Sequence, residues 1–506
     1  MAMPSLLSAE GFLGLALVAF AVHRVLKVGR REQGLPPGPP TIPILGNLHV
    51  FPRSYAYRQF TDWARTYGGI ISVNLEPFMT SLVNNLLTCY LKLKIGAETI
   101  IVVSDARIAR ELIDQKNANT SDRPTNYLAT LVTGGNHVAL ARYSPFWRRS
   151  RKVIQSFMTK EACEQHKPIQ VAEATQLITS GARFTIAGRS STILKYVPER
   201  WASWKRICKE IRQKQVKLYG SLVESCERRL AQNVRNGCAM ETILDVKEKN
   251  EFDHDLVRGI CGTMIEGGTD TTFIFLQSLT LMLVAHPDIQ AKAHKEIDSV
   301  IGSERCPTLE DFQSLPLSVS DPCFLWDCLT PRWRMSRRKF EVDGFFIPKG
   351  STIFSNQWGM FHDPEFYDDP EVFRPHRFLT SEYGQKPGAD ITGRRHDLHF
   401  GGGRRICPGT HLANTSMILT TMNMLWAFEF KEAVDPMTSA PIPVDINNYS
   451  KAIVAIPNPF RCDIVVRSES HAALIRQAFV ASRPVFEQFE HELSDEDKAF
   501  VRNQQA

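Results

Sequence analysis

The residues most capable of chemistry lie in one loop, Phe400-Gly401-Gly402-Gly403-Arg404-Arg405-Ile406-Cys407-Pro408-Gly409, followed by an apolar helical run. A cysteine placed where a glycine loop enters a helix sits among backbone N–H donors and the positive helix end, and both favour the thiolate. The glycines let the backbone approach a flat ligand where any Cβ would collide. A thiolate in this setting suits haem iron, because it pushes electron density to the metal and promotes O–O cleavage. Arg405 is placed to meet a haem carboxylate, and Phe400 to shield the sulfur from water. A lone cysteine in a tight turn is more often structural. Phe, Gly, Arg, Cys and Gly together in register set this one apart.

A second group, Gly267-Gly268-Thr269-Asp270-Thr271-Thr272, interrupts the apolar run Met264 to Val284. Two adjacent glycines inside a helix cost roughly 1 kcal/mol each relative to alanine, so a sequence that keeps them wants backbone room there. An acid beside an alcohol on an apolar helix suggests a proton relay; alone, a threonine-rich packing helix explains it equally well. Trp147 and Arg151 stand four apart in Trp147-Arg148-Arg149-Ser150-Arg151, so they share a helix face.

The loop pattern F-x-x-G-x-R-x-C-x-G resembles the haem-binding loop of the cytochrome P-450 monooxygenases and matches it at every fixed position. The resemblance spans roughly residues 1 to 467, and its anchor and proline hinge look like those of microsomal, fungal-type members. It implies that Cys407 is the axial ligand of haem iron, in heme b, within the loop from Phe400 to Gly409. Thr271 would hydrogen-bond dioxygen and hold a water, while Asp270 would pass in protons. Trp147 and Arg151 match the family's W-x-x-x-R helix and, with Arg405, would bind the haem propionates. Phe373 to Phe378 (FRPHRF) resembles the F-x-P-x-R-F segment, with Arg377 as its structural arginine. The run Ile353 to Trp358, then His362-Asp363-Pro364, is similar to the family's approach to that segment. Arg148, Arg149, Arg151, Lys152, Arg394, Arg395 and Arg404 would form a basic face for an acidic NADPH-cytochrome P-450 reductase, if they are not simply solvated. His396 and His399 read as surface or packing histidines.

Elements must hold these groups, and composition bounds what they build. The 506 residues are 43% hydrophobic and 23% charged, which excludes a largely disordered chain. A net charge of +6 is too small to argue for nucleic-acid binding. The 11 cysteines are scattered with no C-x-x-C pair, against a disulfide framework or a zinc site and in favour of a reducing compartment. Residues 1–31 read as a membrane anchor: an apolar run around Gly11 to Val22, then Arg24, Lys27, Arg30 and Arg31, which would keep the body cytosolic. Residues 32–46 (…LPPGPP…) read as a stiff hinge and 468–506 as a polar C-terminal tail. Between them, residues 47–467 form the catalytic domain. Strands are expected at Glu98–Ser104 and Gly344–Gly350, and helices at Asp105–Gln115, Asp253–Ala285, from Pro287 to near Gly302, and His411–Phe430.

The fold expected is mainly α with a minor β part: the cytochrome P-450 fold, a single large domain behind an N-terminal transmembrane helix, anchored in the endoplasmic reticulum. The function implied is insertion of one oxygen atom from O2 into a small apolar organic substrate, with NADPH-derived electrons, in fungal secondary-metabolite biosynthesis. Two alternatives stand beside it: a haem-thiolate isomerase or peroxide-using enzyme, and a degenerate, non-catalytic relative. Three stretches depart from the family pattern. Residues 73–92 interrupt two runs that should be adjacent strands, the region near 178–194 is short, and 317–342 is aperiodic and lacks the E-x-x-R helix. Arg377 is therefore expected to lack its partners. The departures read as gene-model errors, so the spliced transcript should lack 73–92 and restore E-x-x-R in another frame.

Overall fold

The computed structural model describes residues 13–20, 23, 29–43, 45–52, 54–75, 98–179, 203–316, 332–450 and 455–490. Helix α1, Ala56–Tyr67, turns Phe60 and Trp63 onto a small sheet. Strand β1, Ile70–Leu75, pairs antiparallel with β2, Glu98–Val103, from Ile70 opposite Val103 to Leu75 opposite Glu98. The two runs flanking the 73–92 stretch are therefore neighbours, as expected. Val73, Asn74 and Leu75 complete the first strand and are buried in it; 76–92 lie outside the described residues. After β2, Asp105 caps helix α2, Ala106–Arg110, by accepting the Ile108 N–H at 2.8 Å. The helix then widens into a π-turn, Glu111–Gln115, a form common where a backbone serves a site.

Helix α3 is Tyr127–Thr133, α4 Pro145–Ser156, α5 Lys160–Thr179, α6 Ser203–Ala231 and α7 Ala239–Asp245. The long α8, His254–Ala285, starts where Asp253 accepts the Leu256 N–H, and Pro287 opens α9, Pro287–Val300. Strand β3, Arg332–Met335, follows. A tight hairpin of β4, Phe340–Val342, and β5, Phe345–Ile347, turns at Asp343-Gly344 with both residues left-handed. Strand β6, Thr352–Ser355, lies between β2 (parallel) and β3 (antiparallel), giving the order β1-β2-β6-β3. Residues 332–335 and 340–342 thus form strands although their pattern reads as aperiodic; pairing of β3 with β6 and of β4 with β5 overrides weak local propensity. Residues 180–194 and 317–331, where E-x-x-R was sought, lie outside the described residues.

Helix α10, Thr410–Ala427, ends three residues earlier than the apolar run suggests. Strand β7, Phe428–Glu432, takes over and pairs with β8, Cys462–Val466. The apolar run continues because both elements feed one core, in which Phe428 and Phe430 are buried. Two further expectations are corrected. The proline stretch, read as a hinge, is tied to the body: the Ser72 N–H donates to Pro37 O at 2.7 Å and its hydroxyl to Pro36 O at 2.6 Å. Asn47 also holds Pro39 and Pro40, and Leu35 is buried. Residues 468–490 are no loose tail. Helix α11, Glu469–Glu490, packs on α5, with Ile475 in the core and His471 against Trp426. Its polar composition hid a narrow apolar face.

The main core joins α5, α8, α9, α10 and β7 through Phe275, Leu279, Met417, Met422 and Trp426. Among the described residues one helix, α8, is long and apolar enough to cross a membrane, and it runs through this core. Residues 13–20 are helical, with Leu13, Leu15, Leu17 and Phe20 all exposed.

Candidate active site

The cysteine loop is built from two single turns of 3-10 helix, Leu398–Phe400 and Gly403–Arg405, joined through left-handed Gly401 and Gly403. The Cys407 N–H closes the loop by donating to Phe400 O at 2.9 Å. Glycine is required by proximity as well as by backbone angle. A Cβ on Gly403 would stand 2.1 Å from Ile113 O, and one on Gly402 2.3 Å from Asp114 Oδ1. The loop is thus pressed onto the π-turn of 111–115. Asp114 accepts the Gly403 N–H at 2.7 Å and pairs with Arg395 at 3.2 Å; buried Arg334 of β3 donates to Gly402 O at 2.5 Å. Sequence reasoning missed Asp114 and Arg334. A single acid in an amphipathic helix and one arginine among several give no local signal.

Beside the loop, α4 delivers Trp147 and Arg151. Ser144 caps this helix by accepting the Trp147 N–H at 3.1 Å, which orients the face carrying both residues. The Trp147 indole N–H donates to Val138 O at 3.0 Å, and the Arg405 guanidinium stacks on its ring at 3.8 Å. Arg405 is buried and donates to Ser121 O and Ala141 O, each at 2.9 Å. Burial first, then nearby Arg123 and Arg151, lower its pKa to about 9. Arg151 donates to Ile406 O, and burial lowers its pKa too, with Cys407 acting in the opposite sense. Its Nε is buried with no hydrogen-bond partner. Neither arginine makes an ion pair with a carboxylate among the described residues; Asp122, which acts on Arg405 from farther off, is bonded to Arg142 at 2.6 Å.

Helix α8 carries the acid–alcohol pair. Its flanks are buried, but Ile265 and Gly267 through Asp270 are exposed, so the middle of a core helix faces open space. A Cβ on Gly267 or Gly268 would meet nothing within 4 Å. The Thr271 hydroxyl donates to Gly267 O at 2.7 Å, which fixes the hydroxyl near that opening. Burial, then the charge of Glu266, raise the pKa of Asp270 above the ordinary carboxyl range. Phe273 and Ile274 of α8 share one apolar cluster with Phe400, Ile406 and Cys407. The helix that carries the acid–alcohol pair and the cysteine loop therefore feed the same core.

Other expectations are revised. Arg377 is buried but not left unpaired: it donates to the carbonyls of Asp369 at 3.1 Å, Val372 at 3.0 Å and Arg374 at 3.3 Å. Backbone acceptors thus supply what a Glu/Arg pair was expected to. Glu371 and Arg374, which carry E-x-x-R spacing, take different partners, Arg65 at 3.9 Å and Asp369 at 2.8 Å. The basic face loses members. Arg394 lies over Phe366 with its side chain 5% exposed, and Arg395 is held by Asp114 and Asp397. Arg148 and Lys152 remain exposed; Arg149 pairs with Glu251 at 3.2 Å and Arg404 with the Tyr143 hydroxyl at 2.6 Å. His399 is buried against Phe400, whereas His396 lies at the surface beside Glu382.

Comparison with known proteins agrees with this geometry. A family profile described as Cytochrome P-450 matches residues 186–453. A cytochrome P-450 monooxygenase of Armillaria gallica is 43% identical, over 92% of this chain and 96% of its own. The chain belongs to the cytochrome P-450 family. Monooxygenase atE of Aspergillus terreus is 32% identical over 82% of this chain and 85% of its own. A zebrafish cytochrome P-450 solved with progesterone has the same fold, with a TM-score of 0.61 at 20% identity, over 81% of this chain and 99% of that one. The protein is thus an oxidoreductase, a monooxygenase with haem as cofactor and O2 and reductant electrons as co-substrates.

The residues present fit haem. Beside the cysteine loop, buried Arg405 and partly buried Arg151 bond backbone oxygens but no carboxylate among the described residues, and the haem of a cytochrome P-450 brings two propionates. The cysteine loop shares a core with Phe273 and Ile274 of α8, and the bare backbone of Gly267-Gly268 on the same helix has open space beside it for a flat group.

Proposed function

We propose that this cytochrome P-450 carries heme b, takes two electrons from NADPH through a cytochrome P-450 reductase, and inserts one oxygen of O2 into a small apolar molecule of fungal secondary metabolism. The observation that carries the reading is the pair of desolvated cations, partly buried Arg151 and buried Arg405, beside the Cys407 loop, which shares a core with the helix that carries Asp270-Thr271. Bound there, haem supplies a thiolate-ligated iron able to activate O2. The chain's own residues do the rest. Cys407 offers the sulfur, and Phe400 with the closed loop keeps water from it. Arg405, Arg151 and, by resemblance, Trp147 hold the propionates. Thr271 holds a proton at its hydroxyl, and Asp270 brings protons to it from the open middle of α8. Apolar surroundings at Phe273 and Ile274 favour an apolar substrate. Arg151, Arg394 and Arg395 are engaged internally, so docking of the reductase rests on Arg148, Arg149, Lys152 and Arg404.

The decisive experiment is reconstitution of the reduced protein with carbon monoxide, then with reductase, NADPH and candidate apolar substrates. A Soret band near ~450 nm and a product heavier by one oxygen support the reading; a haem-free spectrum favours the degenerate alternative. Product from peroxide alone, with none from NADPH, favours the peroxide-using one. The exposed apolar helix of residues 13–20 and the basic residues after it support single-pass anchoring in the endoplasmic reticulum with the body cytosolic. Deleting residues 1–28 should move the protein to the soluble fraction with its ~450 nm band intact. Deletion to residue 31, as the sequence alone suggests, removes Arg31, which binds Ser72 at 2.9 Å and should cost stability. A 1–28 deletion that still sediments with membranes would require a second membrane contact.

A further inference from the structure

One carboxylate close to the acid–alcohol pair has no role in the reading above. Glu266 lies one helical turn before Asp270 on α8, and three side chains from outside that helix converge on it. Its Oε1 accepts from Gln215 at 2.9 Å and from the Tyr219 hydroxyl at 2.7 Å, both on α6; its Oε2 lies 3.0 Å from His137 Nε2. This closeness is built into the sequence. A Cβ on Gly262 would stand 2.4 Å from the Tyr219 ring, and one on Gly259 2.6 Å from Asn136 O. Glycine at these two places lets α6 and the 134–138 turn come down onto α8. The Val138 N–H also donates to Thr263 Oγ1 at 3.0 Å, and Val138 O accepts from Trp147. One short turn therefore touches the carboxylate on one side and the arginine–tryptophan stack on the other.

We propose that Glu266 is a positioning residue for proton delivery: its anchored negative charge, one turn from Asp270, keeps Asp270 in use as a carrier of protons. This rests on the reading of Asp270-Thr271 as the relay. Burial alone would raise the Glu266 carboxyl. The bonds from His137 and Tyr219, with the nearby imidazole, outweigh it and hold Glu266 below the usual range. Tyr219 is driven the other way, by burial and by Glu266 itself, and so remains a donor. A charge fixed in this way is felt by Asp270, whose own carboxyl is pushed up by burial and then by Glu266. The surrounding charged groups are His137 on the turn, Arg212 on α6, and Asp255 and Arg258 on α8, the last two bonded to each other. They line a small half-open cleft of about 40 Å³ that also borders Glu266, so solvent protons have a route to this turn of the helix.

The test is a pH titration of the haem-loaded full chain followed by carboxyl infrared bands, with the Asp270 band assigned by its loss in Asp270→Asn. In the unaltered protein Asp270 should titrate above the ordinary carboxyl range, near ~4; a midpoint at or below that range overturns the proposal without any variant. Glu266→Gln is nearly isosteric and should lower the Asp270 midpoint by about half a pH unit or more, and Glu266→Asp should restore it. Tyr219→Phe removes a bond but leaves the charge, so it should leave that midpoint raised. An unchanged midpoint in Glu266→Gln, or an equal shift in Tyr219→Phe, sinks the idea. Product formed per NADPH separates the two layers. If Asp270→Asn leaves that ratio unchanged, the relay reading fails, whatever Glu266 does to Asp270.

Discussion

Cys407→Ala should abolish the ~450 nm band of the reduced carbon-monoxide complex and all turnover, because the loop offers haem iron no other sulfur. Among the described residues the remaining cysteines lie on other elements; the nearest in sequence are Cys306 and Cys462, neither in the loop. The fold should survive the change. Cys407 holds the loop through its backbone, with N–H donating to Phe400 O and its carbonyl accepting from Thr410, and alanine keeps both bonds. Circular dichroism should therefore match the unaltered chain, while haem retention falls. A variant that keeps the band would overturn the assignment of the ligand.

Thr271→Ala should keep haem and NADPH consumption but lower product per NADPH about ten-fold, with the missing electrons recovered as hydrogen peroxide. General acid–base groups contribute on the order of 10²- to 10⁴-fold, and water can replace part of that when a hydroxyl is lost. The hydroxyl also bonds Gly267 O, so a purely structural role must be distinguished. Thr271→Ser keeps both the proton and that bond and should restore the ratio. Thr271→Val removes the hydroxyl but keeps the bulk and should behave as alanine does. Equal product per NADPH in all three variants would remove Thr271 from proton delivery.

The family, and the cysteine loop and acid–alcohol pair proposed for its chemistry, were legible in the sequence because each depends on residues close together in the chain. A thiolate loop needs glycine, arginine and cysteine within ten positions, and a relay on a helix needs neighbours. Caps and breakers marked Asp105, Asp253 and Pro287 for the same reason. Groups that meet across the fold were not legible. Arg334 reaches Gly402 from a strand whose pattern is irregular, and Asp114 reaches Gly403 from a π-turn. Arg377 finds backbone carbonyls that no motif encodes. A polar C-terminal run became a packed helix because only a narrow stripe, including Ile475, is needed to cover the core.

The sequence alone pointed to the chemistry proposed: a cysteine to bind haem iron, with an acid and an alcohol to manage protons. Tertiary structure decided which charges are neutralised and by what. Arg394 and Arg395 read as surface charge but are consumed inside, and Glu266 reads as one more helix acid but is gripped from two other elements. The physical reason is one of range. Backbone caps, glycine turns and i, i+4 spacing act over a few residues, whereas desolvation and Coulomb interaction depend on what packs alongside, which the order of residues states only through the finished fold.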